Sequence, residues 1–382
     1  MADFPISHYS KTQVENAGKA LRGDLVWDGV DRTRQEEIIQ IFRIAWDWRN
    51  SHAYPMRKLR QELSGKIRRI KTKGITAARM KRMQSIRKKL TRLTTTLVQI
   101  DDLGGCRAVV GSSAEVESLI AMYRSENGPH NKRTDRSYIE DPKLGGYRSH
   151  HFVFDFQGCD DTEIVYNGRR IEIQIRTRLQ HAWATAVEAL GLVRAEDMKA
   201  GEGDHDWLRL FELVSSEFAD AEGCPVVPGA PNKQERVAEL RNLQDKLRAT
   251  STLENLNQAL KYTENYAGSA DYFLIRYDNV NHTVDVRGFG TAGAWPEQFG
   301  QQESNSITTV LVEVDKVENL REAYPNYFLD VTLFTRNLQN ILGGRKLILS
   351  LQDQLGDDPD VNSIPVPSKY NAEWIRKFTR GF

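Results

Sequence analysis

Between residues 33 and 63 the apolar positions Ile38, Ile41, Phe42, Ala45 and Trp48 recur at steps of three and four, the spacing of one helix face. Ile39, Ile44 and Trp46 fall on its other sides, which predicts a helix covered by more than one neighbour until Pro55 interrupts or bends it. After a break at Gly74 a second helix is predicted over about 76–93, with cations round most of its surface. In LVQIDDLGGCRAVVG an apolar run passes through Asp101, Asp102 and a Gly104-Gly105 turn into a strand.

GGYRSHHFVFDF reads as a strand, and EIVYNGRRIEIQIRT as two strands joined by an Asn167-Gly168 hairpin turn. In the returning strand Ile171, Ile173 and Ile175 share one face, while Glu172, Gln174 and Arg176 line up on the other. His150 and His151 must likewise point to opposite faces. Helix resumes through LQHAWATAVEAL and again around 207–218, before EGCPVVPGAPN breaks the pattern and marks a domain boundary. Beyond it, 233–262 reads as one or two helices with a weak point at 250–252. Strands are predicted at 271–278, 283–289 and 307–314, then a helix ending near Leu342 before Gly343-Gly344. The pattern divides the chain into a first domain at 1–222, linker and helices at 223–267, a small α+β domain at 268–345 and an irregular tail at 346–382.

The length of 382 residues suits two or three domains, and 40% hydrophobic with 27% charged residues excludes wholesale disorder, collagen-like repetition and a coiled-coil rod. No window approaches the ~18 apolar residues of a membrane span, and MADFPISHYSK lacks the pattern of a signal peptide. A cytoplasmic protein with no membrane partner is expected. Cys106, Cys159 and Cys224 are scattered and in no CxxC arrangement, so neither a disulfide framework nor a structural zinc site is indicated. The net charge of +1 hides an asymmetry: residues 57–92 hold 15 basic side chains and one acid, Glu62. That imbalance points to a polyanion, either nucleotide phosphates or nucleic acid.

Four motifs occur in order. Arg79, Lys81, Ser85 and Lys89 come first, then Asp102, Gly105 and Arg107, then Gly146, Tyr147, Ser149 and His151, then Glu172, Gln174, Arg176 and Thr177. Together they resemble the synthetase domain of the RelA/SpoT family over about residues 35–190. The resemblance implies an α/β fold, a mixed-sheet nucleotidyltransferase-like domain flanked by helices, with a small α+β C-terminal domain appended. It also implies an ATP-dependent pyrophosphokinase acting on a ribose 3′-hydroxyl. In-line attack on the β-phosphorus requires a metal, cations and a group that orients the nucleophile. Asp102 beside a glycine turn and Glu172 on a polar strand face can converge on one Mg²⁺ from different elements. By the resemblance both bind the metal, and Glu172 also helps deprotonate the acceptor. Asp101, which the motif does not require, reads as a surface acid or ion-pair partner. Lys81, Ser85 and Lys89 at four-residue steps would form one helical stripe for a phosphate chain. The resemblance further implies that Arg79 and Arg107 sandwich adenine, and that Tyr147 stacks on the acceptor base with His151, Gln174 and Arg176 nearby.

His205-Asp206 resembles the metal-binding pair of the alarmone hydrolase domain, but it follows the synthetase motifs and further His and Asp ligands are missing upstream, so no hydrolase is expected. Ordinary members of the family use GDP or GTP and make (p)ppGpp; a toxic branch modifies the CCA end of tRNA and so inhibits translation. HYSKTQVENAGKAL resembles the N-terminus of toxic small alarmone synthetases, and Lys66, Arg68, Arg69, Lys71 and Lys73 lie outside the ATP stripe, which tilts the expectation to tRNA. Tyr324 and Tyr327 resemble the Tyr-x-x-Tyr element by which CapRel-type fused toxin-antitoxin proteins block their own ATP site until a phage protein relieves the inhibition, as an anti-phage defence. Two other readings stay open: a (p)ppGpp synthetase acting on GDP/GTP, and a catalytically idle nucleotide- or RNA-binding regulator.

Overall fold

The alternation in IEIQIRT is realised at the centre of a sheet. The computed structural model describes residues 4–27, 29–194, 196–265, 272–278, 283–289, 307–313 and 327–349. Three helices come first, α1 (Lys11–Ala20), α2 (Arg32–Asn50) and α3 (Ala53–Arg69). The catalytic-motif region follows as β1 (Ile75–Met80), α4 (Met83–Arg92), β2 (Gly104–Val110), α5 (Ser113–Ser125), β3 (Asn131–Ser137), β4 (His150–Asp155), α6 (Asp161–Ile164) and β5 (Arg170–Thr177). Its strands form one sheet in the order β1-β2-β5-β4-β3, with β2 and β5 parallel and every other neighbouring pair antiparallel.

Strand alternation divides this sheet into two faces. Cys106, Ala108, Phe152, Phe154, Ile171, Ile173 and Ile175 are buried with Met56, Leu59 and Leu63 of α3 and Val116 and Leu119 of α5. A separate core joins α1, α2 and α4 through Val14, Ile38, Phe42, Ala45, Ile86 and Leu90. The opposite sheet face carries the polar motif residues, and α7 (Arg178–Arg194) runs directly out of β5 beside it.

The remaining helices are α8 (His205–Glu222), α9 (Lys233–Leu247), α10 (Ala249–Asn265) and α11 (Tyr327–Leu342). Between the last two lie β6 (Tyr272–Asp278), β7 (Thr283–Phe289) and β8 (Ile307–Glu313), antiparallel in the order β7-β6-β8, with β7 beside α10 and β6 and β8 beside α7.

Several expectations are corrected. The helix drawn over 76–93 is β1 followed by the shorter α4, because Ile75 to Met80 pair along β2 and tertiary pairing overrides the local helical preference of Ala-Ala-Arg-Met. Lys81 therefore lies outside the helix, and Lys81, Ser85 and Lys89 do not form one helical stripe. Gly104 and Gly105 belong to β2 and not to the preceding turn; a Cβ on Gly104 would come 3.0 Å from Ile171 Cδ1 and 3.4 Å from the Cβ atoms of His52 and Met56. EIVY is not a strand: Asp160 caps the short α6, accepting from the backbone N–H groups of Thr162 and Glu163, and Gly168 at φ +76° turns the chain into β5. Pro55 sits in the first turn of α3, where its missing N–H costs nothing, and the helix break falls earlier, at Ser51 and His52. The break in 233–262 is at Arg248, in the left-handed region at φ 46°, two residues before the Ser/Thr cluster.

The boundary placed after residue 222 separates sequence but not packing. Trp183 of α7, Phe211 and Phe218 of α8, Leu240 of α9, Leu253 of α10 and Phe334 of α11 belong to one apolar core. Phe334 packs on Phe211 at 5.5 Å and on Phe218 at 5.8 Å between ring centroids. The helices drawn as a linker, and the helix placed in the small C-terminal domain, are thus part of the body that carries the motifs. The prolines of 223–232 mark a surface loop within it.

Candidate active site

Two carboxylates at adjacent strand starts anchor the polar face. The backbone N–H of Lys81 donates to Leu103 O at 2.8 Å, which brings the end of β1 to the turn that holds Asp102. Lys81 Nζ then donates to Asp102 Oδ2 at 2.7 Å, and Lys89 Nζ, from α4, to Oδ1 at 2.9 Å. Burial alone would raise the Asp102 carboxyl, but the two ammonium groups outweigh it and hold the group down at about 2. Ser85 lies in the first turn of α4, half-buried. Asp101 points elsewhere, to Arg170 at 3.0 Å.

Glu172 pairs across β2 and β5 with Gly105, three residues after Asp102. Its Oε1 lies 2.8 Å from His151 Nδ1, and its Oε2 accepts from Gln174 Nε2 at 2.6 Å. Since a carboxylate can only accept, His151 Nδ1 donates to Glu172, and its Nε2 lies 2.8 Å from the Tyr147 hydroxyl. Arg176 completes the network, donating to Tyr147 Oη at 2.6 Å and to Gln174 Oε1 at 2.8 Å. Burial pushes Glu172 up and so does the Asp102 charge, but the His151 and Gln174 hydrogen bonds help to hold it below the usual carboxylate range. Asp102 and Glu172 therefore share one electrostatic environment, and both are ionised at neutral pH.

Tyr147 is presented by a loop pinned to α8. Gly146 adopts φ +88°, and a Cβ there would come 2.8 Å from Ser215 Cβ. Ser215 Oγ donates to Gly146 O at 2.6 Å, and Arg148 Nε to Ser215 Oγ at 3.1 Å. His150 points to the other sheet face and is fully buried. Of the following helix, Trp183 Nε1 donates to Phe211 O at 2.7 Å and both Trp183 and His181 are buried, in keeping with a packing role.

Arg79 and Arg107 stand on the same face of β1 and β2, and Arg79 Nη1 lies 3.7 Å from Glu188 Oε1 on α7. Glu188, Lys199, Arg136, Tyr138 and Lys143 were not singled out from the sequence. Lys143 Nζ lies 4.6 Å from the Tyr138 ring centroid and 5.3 Å from that of Tyr147, and Arg136 lies over Tyr138 at 4.9 Å. One signal was available: Glu188 is the single acid of RLQHAWATAVEALGLVR and is flanked on both sides by apolar runs. Tyr324 lies outside the described residues, and Tyr327 opens α11 without its side chain being among them.

The basic stretch is largely engaged within the protein. Lys66 and Arg69 pair with Glu126, Lys58 with Glu163 at 2.8 Å, and Arg68 with Ser64 at 3.1 Å. Among the described residues no group of three or more His, Cys, Asp and Glu side chains could hold a metal ion by itself. A hard pair such as Asp102 and Glu172 fits Mg²⁺, which keeps water and substrate phosphate oxygens as its other ligands. No helix of the described residues is long and apolar enough to cross a membrane.

Residues 78–191, which contain this whole polar face, match the model of the region found in RelA / SpoT proteins. That match covers these residues and not the rest of the chain. No curated protein matches the chain in sequence. Among solved structures the chain is similar to small alarmone synthetase 1 from Bacillus subtilis bound to its product pppGpp, at 20% identity, TM-score 0.40, over 45% of this chain and 90% of that one. A GTP pyrophosphokinase family protein from Streptococcus pneumoniae is 22% identical over 44% of this chain and 83% of its own, with TM-score 0.37. The B. subtilis synthetase 1 bound to AMPCPP is 18% identical over 44% and 87%, with TM-score 0.34.

Proposed function

We propose that this chain transfers pyrophosphate from ATP to the 3′-hydroxyl at the CCA end of tRNA, and that its C-terminal region restrains it. The observation that carries the reaction is the convergence of the lysine-held Asp102 and the histidine-held Glu172 on one sheet face. The acceptor 3′-oxygen attacks the β-phosphorus, an O–P bond forms, the bond between that phosphorus and the α,β-bridging oxygen breaks, and AMP leaves. Glu172, ionised and oriented by His151 and Gln174, takes the hydroxyl proton. Lys81 and Lys89 turn from Asp102 to the phosphate chain, which Ser85 also contacts and where charge develops. Asp102 and Glu172 would hold Mg²⁺, which supplies charge neutralisation at the phosphates. Arg79 and Arg107 take the adenine, and Tyr147 stacks on the acceptor base beside His151 and Arg176. Tyr324 and Tyr327 act from outside this set as an autoinhibitory element that a phage protein displaces, the toxin-antitoxin arrangement of an anti-phage system.

A specific observation favours a second acceptor. The cations outside the phosphate site that suit tRNA are in part committed to Glu126 and Ser64, so GDP or GTP, yielding (p)ppGpp, is the alternative. Incubation of the full chain, and of its Tyr324→Ala/Tyr327→Ala variant, with ATP labelled on its outer phosphates and either tRNA or GDP separates the two. Label on the CCA end is expected, greater in the variant; label in ppGpp alone would replace the acceptor, and no transfer in either form would remove the reaction.

A further inference from the structure

Four same-face positions of β1 and β2 form a square: Arg79 opposite Gly105, and Ala77 opposite Arg107 two residues along. The two guanidinium-bearing residues occupy one diagonal, and the two smallest side chains the other. Such a floor leaves room for a flat ring flanked by guanidinium planes. Above it α7 contributes one acid, Glu188, whose Oε1 faces Arg79 at 3.7 Å and whose Oε2 accepts from Lys199. Burial pushes this carboxyl up, but Lys199, Arg79 and Arg107 hold it far below its ordinary value. It is therefore ionised throughout the physiological range, and an ionised carboxylate can only accept hydrogen bonds.

A group limited to accepting distinguishes the two common purines. Adenine offers an amino group at its six position; guanine offers a carbonyl oxygen there, which a carboxylate repels. We propose that Glu188 reads the donor base, accepting a hydrogen bond from the exocyclic amino group of adenine and so selecting ATP over GTP. The inference rests on the pyrophosphokinase reading and deepens it. Glu188 is a specificity residue and takes no part in the chemical step.

The test is equilibrium binding without acceptor, by calorimetry in the presence of Mg²⁺, to the full chain and to the full chain carrying Tyr324→Ala/Tyr327→Ala. The probes are ATP, GTP and purine riboside 5′-triphosphate, which lacks the amino group. ATP is expected to bind roughly 10- to 100-fold tighter than either competitor, the range of a charge-assisted hydrogen bond set against an unpaired or repelled group. Glu188→Gln, whose amide can turn an N–H toward the guanine oxygen, should bring GTP within about 3-fold of ATP. It should also tighten all three probes, since a negative charge near the triphosphate is removed; the ratio is therefore the readout. Glu188→Asp, which keeps the charge but withdraws it by one methylene, should narrow the ratio without that general gain, and serves if the glutamine variant folds poorly. An unchanged ATP:GTP ratio in these variants, or a wild type indifferent to the amino group, overturns the assignment and leaves the pyrophosphokinase reading intact. Failure of every triphosphate to bind either full-length form overturns that reading and this one with it.

Discussion

The two faces of the five-stranded sheet are made by alternate residues of the same strands, yet they treat polar groups in opposite ways. On one face His151 is tied into a chain from Tyr147 to Glu172, and Asp102 meets the ammonium groups of Lys81 and Lys89. On the other, its neighbour His150 is fully buried, with its ring 4.4 Å from that of Phe152 and Asp135 at 3.1 Å, and burial pushes the imidazole down to about 4. A strand therefore serves chemistry and stability at once, provided that neighbouring positions never exchange roles. The polar face stores Lys81 and Lys89 on Asp102, and Arg79 and Lys199 on Glu188, so in the proposed reaction a phosphate chain meets side chains already gathered there.

The sharpest way to break this contrast is Glu172→Gln. Pyrophosphate transfer should fall by at least ~10³-fold, with the unfolding midpoint nearly unchanged; single-turnover kinetics on labelled ATP beside a thermal melt reads both, and retention of more than a tenth of the rate would dissolve the division of labour. Phe152→Ala should do the reverse. Loss of a fully buried ring costs roughly 3–5 kcal/mol in denaturant unfolding, while the folded fraction keeps its affinity for ATP; weakened ATP binding would mean that the faces are coupled. The smallest effect is the most diagnostic, because it separates two adjacent histidines. His150 is held neutral in the fold and protonates below about 6.5 when unfolded, so its penalty is absent above that pH and grows as pH falls toward about 4. At pH 5.5 it should cost about 1 kcal/mol. The Asp102 contribution has the other sign pattern, present above its unfolded value and lost only as pH falls through about 2. Unfolding measured from pH 7 to 5 should show a loss that His150→Phe removes without slowing transfer, whereas His151→Ala should slow transfer about 10-fold or more; equal effects of the two on transfer would overturn the assignment of faces.

What could be read from the chain was what depends on a two-residue period. IEIQIRT assigned its own faces, and the HH pair had to split. The motifs placed Asp102 and Glu172 on separate elements, and those elements are β5 and the turn before β2. What depends on non-local pairing was hidden. ITAARM becomes a strand only because β2 lies beside it, and the Asn167-Gly168 turn follows a capped helical turn, not a strand. The edge strand NKRTDRS has no apolar face to betray it, being exposed over most of its length. The domain boundary failed for a related reason: a proline-bearing loop ends a helix, but only the shared burial of Phe211, Leu240 and Phe334 tells whether the next helix starts a new core.

The embedding of α10 and α11 in that core means that the stretch from 266 to 326 is tethered at both ends. A segment held in this way never diffuses away from the catalytic body, and any contact it makes there forms at a local concentration of order millimolar or higher. Under the proposed restraint, an activating partner competes with a neighbour that is always present, and when the partner dissociates the segment returns without resynthesis. On these terms the setting of the enzyme is governed by how strongly the partner binds, and not by how fast a separate inhibitor is made or destroyed.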